Sequence, residues 1–214
     1  MSIKPLRVIF RLDGSGVCFD PCEPIHLDAL LAWCLAPMHT TGEPPARDEP
    51  PQDIPLPLCK WRIGGEWGWH ASALFPVGEG FETLRFWRKK FRVGRAELFS
   101  GQANSKTGPT REYNQPVAVT LCREMEAFAL GDRKRVAQVL RKNLRYIGIK
   151  RSQGLGRLTG IDVEVVGEDL SLYRDGVAQR YIPNEDGDRV VRPRPPYWNI
   201  VGAVPCLDVG DQTK

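Results

Sequence analysis

The sequence predicts an α+β fold: a single, elaborated ferredoxin-like (RRM-like) domain with a β-rich insertion and a C-terminal extension. Three observations support this prediction. The chain opens with an alternating strand and an amphipathic helix, a later stretch holds a helix followed by a strand, and the region between them is rich in strand signals. That order is compatible with a βαββαβ core that carries extra strands. Because the 214 residues show no internal repeat and no second core, we expect one domain over residues 1–214.

The first strand and helix are predicted within residues 4–34. Lys4 to Leu12 alternates apolar and polar residues, which predicts a half-buried strand. Apolar residues recur at helical spacing through Pro24 to Cys34. Pro24 suits the first turn of a helix, because the amide hydrogen that proline lacks has no intrahelical partner there.

The middle of the chain combines a proline-rich loop with strand and turn signals. Residues 36–57 are acidic and rich in proline, so we expect an extended connector. Residues 59–75 predict two strands joined by a Gly-Gly turn at 64–65. Further strands are predicted over Glu82 to Val93 and Val117 to Leu121.

A second helix is predicted from Asp132 to Tyr146. The Asp132 side chain can accept hydrogen bonds from amides of the first turn, and Gly148 suits the C-terminal end. Apolar residues recur every three or four positions, which predicts a stripe that faces the core: Val136, Leu140, Leu144 and Ile147. The alternation of Leu158 to Val166 then predicts a strand.

The C-terminal extension covers about residues 168–214. The prolines of Arg192 to Trp198 (RPRPPYW) predict an extended segment that covers part of the fold. Such a segment either docks on the aromatic groove of a partner or packs back on its own sheet edge, with Tyr197 and Trp198 as anchors.

Basic charge is concentrated in patches, although the net charge is only +4. Residues 131–157 hold nine Lys/Arg and one acid, and residues 85–95 hold six basic residues and no acid. Aromatic residues alternate with the cations of residues 85–95, which indicates either base stacking or a core-facing strand. Patches of this kind suit a nucleic acid better than a uniformly charged surface does.

Residues 148–160 (GIKRSQGLGRLTG) predict a loop that approaches phosphates closely. Gly154 and Gly156 permit positive φ, and cations and hydrogen-bonding side chains surround them. The loop has no P-loop spacing, and it follows a helix and precedes a strand, which is the reverse of the order in a dinucleotide fingerprint. The alternative is an ordinary turn with a glycine cap.

Catalytic and metal-binding signals are sparse. His26 and His70 are weak candidates for the base of a metal-free RNA cleavage, and a structural role is the alternative for each. The six cysteines form no C-x-x-C pair, so we expect free thiols, no metal site and no cofactor. The sequence contains no apolar run long enough to span a membrane and no signal peptide, which predicts a cytoplasmic protein.

The basic helix and the loop IKRSQGLGRLTG resemble the RAMP superfamily of CRISPR-associated RNA-binding proteins. The N-terminal segments KPLRVIFRLDG and PIHLDALLAWC, together with RPRPPYW, are similar to the small backbone subunit of type IV effector complexes. That subunit is the counterpart of the type I subunit that caps the 5′ handle of the guide RNA.

This resemblance implies a set of RNA-binding residues. In the loop they are Lys150, Arg151, Ser152, Gln153, Gly154, Gly156 and Arg157. The polar excursion Phe99 to Gln115 takes the place of a β-hairpin "thumb", an insertion of about residues 95–117 that pushes against a neighbouring subunit or the handle and carries Lys106 and Arg111. The basic patches add Arg141, Lys142, Arg145, Arg88 and Lys89 as RNA-binding candidates.

We therefore expect a non-catalytic subunit that binds the 5′ handle of the guide RNA (crRNA) and helps to assemble a type IV effector ribonucleoprotein. Its expected partners are guide RNA, neighbouring backbone and large subunits and, indirectly, the target nucleic acid. Two alternatives stay open: a metal-independent endoribonuclease that processes precursor crRNA, and a protein scaffold without RNA contact.

Overall fold

A four-stranded antiparallel sheet with two helices forms the core of the molecule. The computed structural model describes residues 2–20, 23–39, 48–90, 106 and 111–212, with the backbone alone at 37–39. Over these residues the elements are β1 Ile3–Leu12, α1 Leu27–His39, β2 Lys60–Ile63, β3 Glu66–Trp69, β4 Phe75–Pro76, β5 Phe81–Lys89, β6 Tyr113–Leu121, β7 Glu124–Asp132, α2 Arg133–Asn143, β8 Leu158–Val165, β9 Tyr173–Arg174, β10 Val177–Ala178, β11 Ile182–Pro183, β12 Arg189–Val191 and β13 Val204–Leu207.

The central sheet has the strand order β4–β7–β1–β8, and every neighbouring pair is antiparallel. Leu6, Val8 and Phe10 of β1 are fully buried on one face of the sheet, as the alternation of the sequence predicts. They share a hydrophobic cluster with Leu27 and Leu31 of α1 and with residues of α2. The α+β class is therefore confirmed, and both helices pack on the face that holds the core.

The first helix begins three residues later than Pro24, so its predicted start is wrong. The Ile25 carbonyl accepts a hydrogen bond from the Leu74 amide, and His26 forms a bridge with Ala73. These contacts hold the backbone before Leu27 in an extended conformation. At the other end the helix reaches His39, so it includes the beginning of the predicted loop 36–57. Residues 40–47 of that loop lie outside the described residues.

The second helix starts as predicted but ends early. Asp132 accepts a hydrogen bond from the amide of Arg135 at 3.1 Å, which confirms it as the N-cap. Gly148 does not end the helix, because Leu144 already has an extended backbone and Ile147 donates its amide to the Gly156 carbonyl. The predicted stripe is nevertheless buried over its full length, partly inside and partly beyond the helix.

Strand β7 is absent from the sequence prediction, although it lies next to β1 along its whole length. Its sequence EMEAFALGD combines two glutamates with alanine, leucine and methionine, which are weak strand formers. Burial between β1 and β4 decides its conformation, because Ala127 and Ala129 allow close packing there.

Two β-hairpins form separate two-stranded sheets beside the central sheet. The β2–β3 hairpin turns at Gly64 and Gly65, both with positive φ, as predicted from the sequence. Strands β5 and β6 form a long two-stranded ribbon, which confirms the predicted strands over residues 82–89 and 117–121. β6 begins at Tyr113, inside the predicted polar excursion 99–115, because Tyr113 to Pro116 pair with β5. Most of the segment between these two strands, residues 91–105 and 107–110, lies outside the described residues, and with it most of the predicted insertion 95–117.

The segment RPRPPYW packs back on its own chain, but not at a sheet edge, and Tyr197 rather than the half-exposed Trp198 anchors it. The Tyr197 hydroxyl donates to the Asp28 carboxylate, and Arg194 contacts Glu66 at 3.1 Å. Arg192 is 2% exposed and lies 2.7 Å from Asp53. The segment is therefore fastened to the start of α1, to the β2–β3 hairpin and to the chain before β2.

An ion pair between Arg180 and Asp28 lies at the centre of this packing. Both side chains are fully buried, with 3.3 Å between Nη1 and Oδ2. The guanidinium also donates to the carbonyl oxygens of Trp69, Ala71 and Pro193. Burial raises the pKa of Asp28, while the Arg180 charge and the Tyr197 hydrogen bond oppose this rise. The carboxylate accepts hydrogen bonds from Arg180, the Tyr197 hydroxyl and the Ala29 amide, and these donors stabilise its ionised form.

Candidate nucleic-acid interface

The loop between α2 and β8 has a left-handed backbone at several positions. Positive φ occurs at Gly148, Gly154 and Gly156 and also at Lys150, with one turn of 3₁₀ helix over Arg151–Gln153. The Gly156 amide donates to the Gly16 carbonyl at 2.7 Å, and the Ile149 amide donates to the Cys18 carbonyl at the same distance. The loop is therefore closed on itself and tied to the segment that follows β1.

Two buried residues anchor the loop. A Cβ on Gly156 would overlap the Ile147 carbonyl oxygen, so only glycine fits there. Leu155 is 5% exposed and packs in a small cluster with Cys18 and with Val119 of β6. The predicted contact residue Gly156 thus lies inside the loop, while the loop as a whole is attached to the β5–β6 ribbon.

The polar residues of the loop are displayed to solvent. The exposed loop residues include Lys150, Arg151, Ser152, Gln153, Gly154 and Arg157. The Lys150 Nζ lies 5.3 Å from the ring centroid of Trp87 on β5, and the Arg151 guanidinium lies 5.3 Å from that of Trp33 on α1. Two adjacent loop cations therefore lie over two indole rings from different elements, an arrangement typical of cation–π contacts.

The ribbon adds a second aromatic residue and another cation to the same face. Trp87 stacks on Tyr113 with 6.3 Å between the ring centroids, and the Lys89 Nζ lies 6.0 Å from the Tyr113 ring. Arg88 points to the opposite face because side chains alternate along a strand, and its Nε donates to Asn114 at 3.1 Å. Of the two ribbon cations predicted to bind RNA, only Lys89 shares the face of Trp87.

The predicted cations of α2 lie where the helix joins the loop. Arg141, Lys142 and Arg145 are all exposed. The Arg145 guanidinium donates to the carbonyl oxygen of Arg141 at 2.8 Å, so it caps the end of the helix.

Near the loop, hydrogen bonds from Ser15 lower the pKa of Asp13, and the charge of Arg157 acts in the same direction. Asp13 is therefore an acidic neighbour of the basic loop.

Lys106 and Arg111 are exposed. Their neighbours 107–110 lie outside the described residues, so their predicted approach to RNA stays a prediction.

Sequence reasoning missed two aromatic residues of this surface and the anchor Leu155. Trp33 is 50% exposed, and it lies off the apolar stripe of α1 that contains Leu27, Leu31 and Cys34. Its position off the stripe was the only cue for it in the sequence, and a single exposed apolar residue does not by itself mark a binding surface. Tyr113 and Leu155 gave no comparable signal, because their roles depend on the pairing of β5 with β6.

A known protein family matches most of the chain, including the residues of this surface. The model of the family described as "CRISPR type IV associated protein Csf3" matches residues 4–102 and 87–206. These two matches include the loop, the ribbon strands and both helices. The chain belongs to the Csf3 family. A comparison with curated proteins found no match.

In this Csf3 family member, His26 lies in the core. It is 1% exposed, and its ring stacks on Tyr197 with centroids 4.4 Å apart. Burial, together with the charges of Arg180 and Arg189, lowers its pKa well below the ordinary value, so the ring is neutral. A histidine enclosed in this way does not reach a phosphate on the surface.

His70 takes part in a structural network of the same Csf3 chain. Its Nδ1 lies 2.9 Å from the Asp169 carboxylate and 3.1 Å from the Ser171 hydroxyl. Burial raises the pKa of Asp169, but hydrogen bonds from His70 and Ser171 outweigh this effect and lower it. Both partners share one ring nitrogen, whereas a catalytic relay places the carboxylate and the nucleophile on opposite nitrogens.

The part of this Csf3 chain that the structure describes contains neither a metal-binding cluster nor a membrane-spanning helix. No three His, Cys, Asp or Glu side chains are grouped in a way that would hold a metal ion. None of its helices combines the length and the apolar character that crossing a membrane requires.

Proposed function

We propose that this Csf3 family member is a non-catalytic subunit that binds the 5′ handle of the guide RNA and helps to assemble a type IV effector ribonucleoprotein. The observation that carries the proposal is the convergence of the loop cations Lys150 and Arg151 with the indole rings of Trp33 and Trp87. The proposed partners are guide RNA and the neighbouring backbone and large subunits, with indirect contact to the target and no bound cofactor. The proposed compartment is the cytoplasm.

The fold supports a place in the RAMP superfamily. The sheet order β4–β7–β1–β8 is antiparallel throughout, with α1 between β1 and β4 and α2 between β7 and β8. This is the arrangement expected of an elaborated ferredoxin-like (RRM-like) domain over residues 1–214. In the proposal, the β2–β3 hairpin and the β5–β6 ribbon are insertions, residues about 95–117 act as the thumb, and residues 168–214 are the C-terminal extension.

The proposed interface suits unpaired RNA for two physical reasons. Lysine and arginine neutralise phosphates, and indole rings stack on bases of any sequence. In the free protein the loop cations occupy the indole faces, so a base that stacks on Trp33 or Trp87 would displace a cation toward the phosphates. Binding would then exchange two cation–π contacts for stacking and ion pairing.

The positions of both histidines favour binding over cleavage. His26 is enclosed between aromatic rings, and His70 is engaged by Asp169 and Ser171. Incubating the protein with repeat RNA in EDTA tests the endoribonuclease alternative directly. Cleavage that is lost when either histidine is replaced would overturn the non-catalytic proposal.

Charge reversal in the loop tests RNA binding. In the variant Lys150→Glu/Arg151→Glu/Arg157→Glu we expect the affinity for guide RNA to fall by about 100-fold or more at ~0.1 M salt, because three phosphate contacts are lost. The slope of log K against log salt should decrease by about two, since each contact to a single strand contributes ~0.7. Fluorescence anisotropy over a salt series measures both quantities.

The matched control for this experiment is Arg62→Glu/Arg123→Glu/Arg135→Glu, three exposed cations outside the interface. It changes the net charge by the same amount. Equal losses in both triple variants would show that the total charge matters and the loop does not. Unchanged guide-RNA retention in the loop variant, or RNA-independent assembly with the other subunits, would favour a protein scaffold.

Replacing the two tryptophans tests base stacking separately from charge. Trp33→Leu and Trp87→Leu should each weaken single-stranded RNA binding by about 5- to 150-fold, which corresponds to ~1–3 kcal/mol per stacked base. The salt slope should stay unchanged because no phosphate contact is removed. Trp198→Leu is the control, since Trp198 is 51% exposed and Trp33 is 50% exposed. Equal affinity in all three variants would contradict stacking.

A further inference from the structure

A second basic site lies along the outer edge of β8, outside the glycine-rich loop. Strand β8 is the last strand in the sheet order, so one row of its backbone groups has no strand partner among the described residues. An open depression of about 320 Å³ lies between this edge and α2. Its lining is Arg133, Lys134, Ala137, Gln138, Arg141 and Val163.

Two arginines of α2 are fixed on this edge. The Arg133 Nε donates to the Val163 carbonyl at 2.8 Å, and the Arg141 Nε donates to the Ile161 carbonyl at 2.8 Å. These bonds use the Nε atoms, so both terminal amino groups of Arg133 stay available as donors, while Nη2 of Arg141 also lies 3.6 Å from the Asp162 carboxylate. The side chains are therefore held in place before any ligand arrives, which lowers the entropy cost of binding.

The spacing of the two guanidinium anchors matches a nucleic-acid backbone. The carbonyl groups of Ile161 and Val163 lie two residues apart on one strand, roughly 7 Å along its axis. This distance is comparable to the separation of consecutive phosphates in an extended single strand. Each guanidinium can bind one phosphate through a pair of parallel hydrogen bonds.

The charge around the depression is positive. No carboxylate lies within ion-pair distance of Arg133 or Lys134 in the part of the chain that the structure describes. Asp162 of β8 lies 2.7 Å from Arg11 and 3.6 Å from Arg141, so among the described residues Arg141 is the groove cation that has a carboxylate within ion-pair distance. Glu164 stands opposite Arg7 in the strand register, on the other face of the sheet.

We infer that the α2–β8 groove, defined by these lining residues, binds consecutive phosphates of a single-stranded nucleic acid beyond the segment held at the loop. The ligand class is the phosphodiester backbone, without base recognition, because the groove offers cations and backbone groups and contains no aromatic ring. Arg141 lines the groove near the end of the helix that leads to the loop, so one strand can extend from the loop into the groove. The inference rests on the proposed function for the class of ligand.

Short and long oligonucleotides distinguish RNA binding at the groove from RNA binding at the loop. The variant Arg133→Gln/Lys134→Gln should bind single-stranded RNA of about 20 nucleotides about tenfold more weakly and with a salt slope lower by about 1.4, for two lost contacts. Its affinity for RNA of about 6 nucleotides, which fills the loop alone, should stay within about twofold of the unaltered chain. Arg62→Gln/Arg135→Gln is the control, since Arg135 lies on the same helix outside the groove.

The outcomes distinguish this inference from the proposed function. If the loop variant binds both oligonucleotides more weakly and the groove variant binds both with unchanged affinity, the groove inference fails and the proposed function stands. If neither variant loses RNA, both fail. A poly-glutamate peptide tests the protein alternative. If it binds the unaltered chain, and the groove variant has a lower affinity for the peptide but an unchanged affinity for RNA, the groove is a protein site and the inference is overturned.

Photo-crosslinking identifies which nucleic acid occupies the groove. Gln138 lines the groove, so Gln138→p-benzoylphenylalanine places a crosslinker there in the effector complex assembled on guide RNA and target DNA. A crosslink to guide RNA or to target DNA supports the groove and names its ligand. Crosslinks to protein alone would overturn the inference.

Discussion

Replacing Asp28 with asparagine is expected to lower the free energy of unfolding by about 3–5 kcal/mol. Arg180 is fully buried, and Asp28 is its carboxylate partner among the described residues. Asparagine keeps the volume of the side chain but removes its charge, so a buried guanidinium would lie without a counter-charge. The Tyr197 hydroxyl would also lose the anionic acceptor of its hydrogen bond. Urea denaturation followed by tryptophan fluorescence measures the loss.

An exposed ion pair supplies the control for Asp28. Glu124 contacts Arg11 at 3.3 Å, with 36% and 56% of the two side chains exposed. Glu124→Gln should cost less than about 1 kcal/mol, because water solvates both groups after the change. Equal losses in the two variants would show that burial does not set the strength of the Asp28–Arg180 pair.

The second large effect is expected at Gly156. Gly156→Ala combines a φ of +70° with overlap between the new methyl group and the Ile147 carbonyl oxygen. The left-handed backbone alone costs ~1–2 kcal/mol in a residue with a Cβ. Because the overlapping atom belongs to the backbone, the loop must also shift, and we expect a total loss on the order of 4 kcal/mol. Guide-RNA affinity should fall with it, since the loop cations move.

Gly154 is the matched control, because its φ is +83° and no atom lies within 4 Å of a Cβ added there. Gly154→Ala should therefore lose only the ~1–2 kcal/mol of the left-handed backbone. Thermal unfolding and RNA titration of both variants decide the matter. A Gly156 variant that is as stable as the Gly154 variant would contradict the described closure of the loop.

Local patterns carried most of the prediction of this fold. Alternation placed β1 and β8, the Gly-Gly turn placed the β2–β3 hairpin, and the Asp132 cap placed the start of α2. Each of these signals lies within one short segment, where propensity and pattern act directly. β7 was missed because its residues have weak strand propensity and its conformation depends on burial between two other strands.

The sequence predicted the charge of the candidate interface and the aromatic residues of 85–95, but not how the two come together. The sequence showed that residues 148–157 are basic and rich in glycine, but not that Lys150 and Arg151 lie over Trp87 and Trp33. Those contacts join residues far apart in the chain, and no periodicity encodes them. The same reason explains why Arg133 and Lys134 were not assigned to a site, since the groove exists only where α2 meets the β8 edge.

The Asp28–Arg180 pair also has a consequence for how related sequences can diverge. Its two members are 152 positions apart and fall in different matched segments of the family, 4–102 and 87–206. Loss of either charge alone would leave the other buried and uncompensated, so an intermediate with one substitution would be selected against. Positions 28 and 180 are therefore expected to covary across Csf3 relatives. A chimera that joins the N-terminal part of one relative to the C-terminal part of another should fold only when the residues at positions 28 and 180, one from each parent, still form a charge pair.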